Sequence, residues 1–65
     1  MKPKKQRIKL REARISKKLS LSNVAKEIGI SRGFYNQIET GERNPSLDNA
    51  IKICELLDID VRDWQ

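Results

Sequence analysis

Leu21-Ser22-Asn23-Val24-Ala25-Lys26-Glu27-Ile28-Gly29-Ile30-Ser31-Arg32-Gly33-Phe34-Tyr35-Asn36-Gln37-Ile38-Glu39-Thr40 holds two helical patterns separated by three residues. In the first, Leu21, Val24, Ala25 and Ile28 recur at the spacing that lines up one apolar face. Ser20, just ahead, supplies a hydroxyl oxygen for an orphan amide of the first turn. Gly29 follows where a helix end favours the left-handed conformation, Ile30 turns back into the core, and Ser31 caps the next helix. That helix runs from about Arg32 to Thr40, with Tyr35 and Ile38 as its buried pair and Gly41 as its stop. So short a turn makes the two helices cross steeply, and the small Ala25 lets them approach closely.

Further helices extend outward from this pair. Upstream, a first helix is predicted to begin after Pro3 and run to about Lys18, with Leu10 and Ala13 inward and Ile15 as a further inward candidate. Downstream, Glu42, Arg43, Asn44 and Pro45 form a loop. Ser46 caps a fourth helix whose apolar stripe is read as Leu47, Ala50, Ile51, Cys54 and Leu57. Asp60 is placed to cap a terminal turn carrying Val61 and Trp64. Trp64 fits either a lid on a core poor in aromatics or a dimer interface. The expected fold is therefore all-α, one compact bundle of four to five short helices.

Composition narrows the function. The 65 residues are 37% hydrophobic and 35% charged, with nothing near the ~18 consecutive apolar residues of a membrane span. The basic Met1 to Gln6 stretch lacks the apolar run of a secretory signal, which points to the cytoplasm. With no histidine and Cys54 as the single cysteine, disulfides, imidazole or thiolate metal sites and the usual general base drop out, so no cofactor, metal or catalytic residue is expected. Cys54 reads as a small buried hydrophobe in a helical stripe, with a reactive thiol as the alternative.

Charge is unevenly spread. Net charge is +5, yet residues 1–18 carry nine Lys or Arg against Glu12 alone, a local +8, which leaves −3 for the rest. A basic arm running into a first helix suits a polyanionic partner, the arm residues being Lys2, Lys4, Lys5 and Arg7. A solubilising tail is the alternative for residues 1–6.

Leu19-Ser20, Val24-Ala25-Lys26-Glu27-Ile28-Gly29-Ile30-Ser31 and Ile38-Glu39-Thr40-Gly41-Glu42-Arg43-Asn44-Pro45-Ser46 together resemble the phage repressor and Cro type of helix-turn-helix transcriptional regulator, the XRE family. The resemblance covers roughly Leu10 to Trp64. It implies a lambda-repressor-like DNA-binding domain over residues 1–65, with residues 1–6 as a flexible basic arm and helices 2 and 3 as the helix-turn-helix. The third helix would lie in the major groove. Base contacts then fall on Arg32, Gly33, Asn36 and Gln37: Arg32 has the fork for guanine O6 and N7, and Gln37 the amide for adenine N6 and N7. Contacts to the DNA backbone fall on Ser20, Asn23, Lys26, Ser31, Phe34, Thr40, Arg43 and Asn44. Phe34 has an equal claim to pack on helix 2.

Two positions depart from the family pattern. Gly33 offers no side chain to a base, and Leu21 stands where many relatives carry a phosphate-binding glutamine. The basic first helix and arm are the expected counterweight. Arg14 and Glu39 match family positions that form a partly buried ion pair, which assigns Arg14 to structure. The function implied is sequence-specific binding of a double-stranded DNA operator, as a repressor acting as a homodimer and open to a regulatory protein partner. The alternative is a protein-interaction module on the same fold, an antitoxin, coactivator or antirepressor with helix 4 and Trp64 at its interface.

Overall fold

A computed structural model describes residues 6–63. Four helices, α1 (Ile8–Ser16), α2 (Leu21–Ile28), α3 (Arg32–Thr40) and α4 (Leu47–Leu57), are followed by a 3₁₀ turn at Val61–Asp63, with no strand among the described residues. The fold is all-α, as the periodicity predicts. Lys2, Lys4, Lys5 and Trp64 lie outside the described residues.

Local chemistry sets most boundaries. Ser20 accepts from the Asn23 amide at 3.0 Å while the Asn23 side chain accepts from the Ser20 amide at 3.1 Å, a reciprocal capping box built with asparagine. Ser31 caps α3 through the Phe34 amide at 3.1 Å, and Ser46 caps α4 through the Asn49 amide at 3.2 Å. Each such cap is worth about 1 kcal/mol. Gly29 (φ 90°) and Gly41 (φ 87°) end α2 and α3 in the left-handed conformation. Asp58 ends α4 in the same conformation (φ 56°), where a glycine would be free of strain.

α1 differs from its sequence reading at both ends. It begins at Ile8 instead of after Pro3, because the Arg7 amide donates to the Glu39 carbonyl at 2.9 Å and ties the chain to the end of α3. It stops at Ser16 instead of Lys18, since Lys18 takes a left-handed φ of 59°. Ile15 points to solvent and is not an inward residue.

The core gathers where the helices meet: Leu10 from α1, Val24, Ala25 and Ile28 from α2, Tyr35 and Ile38 from α3, and Ala50, Ile53 and Leu57 from α4. α4 thus turns a different face inward than the stripe read from sequence. Ile53 is fully buried, whereas Leu47 (77% exposed) and Ile51 (49% exposed) face solvent. Cys54 is half-buried at the edge between the two faces, less enclosed than expected. Leu47, Ala50, Ile51, Cys54 and Ile59, with Glu55 and Asp60 at the rim, line an open apolar groove.

α2 packs most extensively on α3, so the pair joined through Gly29 is the structural centre. No helix among the described residues is long and apolar enough to cross a membrane.

Candidate nucleic-acid interface

α3 buries Tyr35, Ile38 and Glu39 and turns its other face outward. Arg32, Gly33 and Asn36 are exposed and Gln37 half-buried, spaced so that all four lie on one side of the helix. Gly33, Gln37, Ser31 and Phe34 line a shallow depression together with Arg43 from the loop after α3. Residues assigned to base reading and to backbone contact thus share one surface feature.

That loop is held against the helix end. The Gln37 carbonyl accepts from the Glu42 amide at 2.9 Å, from the Arg43 amide at 3.2 Å and from the Thr40 hydroxyl at 3.1 Å. The first of these is the six-residue closure of a helix ended by a left-handed glycine, here Gly41. Arg43 and Asn44 are exposed at its tip. Thr40 is half-buried, and its hydroxyl proton is directed into its own helix.

On α2, Asn23 and Lys26 are exposed, and Ser20 and Asn23 spend their side chains on the capping box. Phe34 is half-buried against the core, which favours its packing role over contact with a base or sugar. Leu21 is also partly buried there, so this position serves packing.

Beneath this surface lies a charged anchor. The Glu39 carboxylate is 1% exposed and meets the Arg14 Nε at 2.7 Å and Nη2 at 3.4 Å, with the Arg11 Nε at 3.6 Å. Arg14 also donates through Nη1 to the Leu19 carbonyl at 2.8 Å, so one guanidinium joins α1, the α1–α2 link and α3. Tyr35 Oη is buried without a hydrogen bond of good geometry, although Glu39 lies close by. Burial pushes the Tyr35 phenol upward, the neighbouring carboxylate adds to this, and Arg14 opposes it.

Arg7, which its charge assigns to a phosphate-seeking arm, is instead engaged within the fold. Its guanidinium donates to the Ile38 carbonyl, to the Arg43 carbonyl at 3.1 Å and to the Asn44 Oδ1 at 2.7 Å. These partners lie 31–37 positions away in the chain, beyond the reach of any local pattern. Partial burial draws the Arg7 pKa down from its ordinary value, and the fork remains a cation. Among the described residues no group of His, Cys, Asp and Glu could hold a metal ion.

The Helix-turn-helix family profile matches residues 10–64. Control protein C.BamHI of Bacillus amyloliquefaciens is 39% identical over 56 residues, covering 85% of this chain and 69% of that protein. The uncharacterized HTH-type transcriptional regulator YqaE of Bacillus subtilis (strain 168) is 36% identical over 52 residues, 80% of this chain and 45% of its own length. The chain accordingly spans less than half of that regulator. Among solved structures, the restriction-modification controller protein C.AhdI from Aeromonas hydrophila superposes with a TM-score of 0.74 at 39% identity, covering 86% of this chain and 85% of that one. With the profile spanning nearly all the described helices and the fold shared with a controller protein, the chain belongs to the helix-turn-helix family of transcriptional regulators, the repressor and Cro type that its sequence resembles.

Proposed function

We propose that this chain binds a palindromic operator in double-stranded DNA as a homodimer in the cytoplasm, and represses or controls transcription by occupying it. One observation carries this reading: the outward face of α3 presents Arg32, Gly33, Asn36 and Gln37 beside a loop that holds Arg43 and Asn44 at its tip. A helix of this kind fits the major groove, about 12 Å wide, with its first residues at the base edges. Arg43, Asn44, Asn23 and Lys26 flank it as candidates for phosphate contact. The relatives agree, since their names include transcriptional regulators and a control protein.

Binding, not catalysis, is the activity this surface supports. A single module of this size makes too few contacts for tight specific binding, so two copies on adjacent half-sites are expected. The apolar groove on α4, with Leu47 and Ile51 exposed, offers a self-association surface. The same groove favours the second reading, a module that docks on another protein. Salt separates the two: affinity for DNA falls steeply with added salt as phosphate counterions are released, whereas an apolar interface is far less sensitive.

The direct test is selection from a random duplex pool, followed by affinity measurements on the enriched sequence over a salt series. A palindromic motif with a steep salt slope supports the proposal, and no enrichment overturns it.

A further inference from the structure

Arg7 stands apart from the other basic residues of the N-terminal segment. The remaining described cations of that segment lie on α1 or in the turn that follows it, whereas Arg7 reaches across to the far end of α3. One nitrogen of its fork holds two carbonyls, those of Ile38 and Arg43, and the other holds the Asn44 side chain. Its own amide donates to the Glu39 carbonyl at 2.9 Å. Ile38 and Glu39 are in the last turn of α3; the Ile38 carbonyl also accepts the Gly41 amide at 3.3 Å, and Arg7 adds to this local cap from a distant part of the chain, through its side chain at Ile38 and its amide at Glu39. Arg43 and Asn44 sit at the tip of the following loop, exposed beside the depression lined by Ser31, Gly33, Phe34 and Gln37.

We infer that Arg7 is a positioning residue for the DNA-backbone contacts: it sets the conformation of the loop carrying Arg43 and Asn44 relative to α3, and does not itself touch DNA. The inference rests on the DNA-binding reading proposed above and deepens it. Two physical points carry it. A planar guanidinium bridges three acceptors in fixed directions, which a flexible ammonium does not reproduce. A loop whose carbonyl and side chain are both held enters the complex already ordered, so less conformational entropy is lost on binding.

Charge and geometry make opposite predictions for the conservative variant. If Arg7 were a phosphate contact, Arg7→Lys would keep most of the affinity. As a positioning residue, Arg7→Lys and Arg7→Gln weaken binding alike, roughly fivefold for all sequences, the equivalent of about one net hydrogen bond. A double-mutant cycle provides the second readout. Asn44→Ala removes the other end of the bridge at an exposed site where folding is not at risk. In that background Arg7→Gln should cost less than in the wild-type chain, because the side-chain arm of the bridge is already gone while the two carbonyl contacts remain.

The experiment measures the affinity of the wild-type chain, Arg7→Lys, Arg7→Gln, Asn44→Ala and the Arg7→Gln/Asn44→Ala pair for the selected duplex and for a scrambled duplex. All are measured well below each variant's melting temperature. Matching losses for lysine and glutamine, with a cycle that is clearly non-additive, support the inference. Rescue by lysine or strict additivity overturns it while the DNA-binding reading stands. A wild-type chain that enriches no duplex overturns both.

Discussion

At its C-terminal end α3 is gripped from several sides, whereas the outward face of its first half, away from Phe34 and Tyr35, offers side chains that touch little of the protein. Glu39 is buried against Arg14, the Ile38 and Glu39 carbonyls are taken by Arg7, and Gly41 closes the last turn. Arg32 and Asn36, by contrast, make no side-chain hydrogen bond among the described residues, and Gly33 has no side chain at all. The contrast shows how a domain of 65 residues presents a reading surface without a large core behind it. Rigidity is concentrated in one turn of the helix and transmitted along the helical axis to the other. Substitutions at the anchored end should therefore act on stability and those at the offered end on affinity.

The largest effect expected is at the anchor. Arg14→Ala leaves the Glu39 carboxylate, only 1% exposed, with the more distant Arg11 as its nearest cation. Removing one partner of a buried pair costs about 3–5 kcal/mol where nothing replaces it, and Arg11 offsets only part of that, against a whole stability for so small a domain of roughly 3–10 kcal/mol at typical values per residue. Urea denaturation followed by circular dichroism should show a variant that is largely unfolded at 37 °C. A fully folded Arg14→Ala would mean that the grip on α3 is distributed over other contacts.

At the offered end the effect is smaller and appears in a different measurement. Arg32→Ala should lower affinity for the selected operator by about 1–3 kcal/mol and relax the preference at one base pair, with the melting curve unmoved, as for other exposed substitutions. Fluorescence anisotropy on the operator and its single-base variants reads both. If Arg32→Ala changed stability and spared affinity, the division between the two ends would fail.

The contrast between the ends was half legible in the sequence. Ser20, Ser31, Ser46, Gly29 and Gly41 act on atoms within a few residues of themselves, so their caps and turns can be read from spacing alone. The outward face of α3 follows from the same periodicity once Tyr35 and Ile38 are placed inside. Arg7 could not be read in this way, because its partners are set by tertiary packing and its charge fits an arm equally well. α4 shows another limit. Apolar residues at 50, 51, 53, 54, 56 and 57 satisfy two adjacent stripes, and only packing against the other helices selects Ile53 over Ile51.

A subtler test of the anchor uses Tyr35, whose hydroxyl is buried beside Glu39 without a hydrogen bond of good geometry. Removing a buried unsatisfied donor relieves its desolvation, so Tyr35→Phe should gain up to about 1 kcal/mol at neutral pH. The same group makes a prediction in alkali. Its folded pKa is raised above the unfolded value of about 10, so no stability is lost to its ionisation below that pH. Above it the unfolded chain loses the proton first, and stability falls by up to about 1.4 kcal/mol per pH unit. Denaturation midpoints between pH 8 and 11 should therefore drop more steeply for the wild-type chain than for Tyr35→Phe. Parallel curves would show that water reaches the phenol and that the fold does not raise its pKa.

Gly33 gives the smallest effect and the sharpest separation, because stability and affinity should move in opposite directions. A Cβ built there meets nothing within 4 Å, so no crowding inside the protein requires glycine at this position. Glycine in a helix costs up to about 1 kcal/mol relative to alanine, and near the helix start the gain from Gly33→Ala should be roughly half of that. An exposed glycine on the outward face of α3 also lets the backbone approach a ligand closely, which an added methyl would prevent. Gly33→Ala is thus expected to melt a few degrees higher and to bind the operator a few-fold more weakly, measured by thermal denaturation and anisotropy on the same preparation. Higher stability with unchanged affinity would show that the groove floor stays clear of the helix at residue 33. The offered surface would then begin at Arg32 and resume only at Asn36 and Gln37, one turn further along.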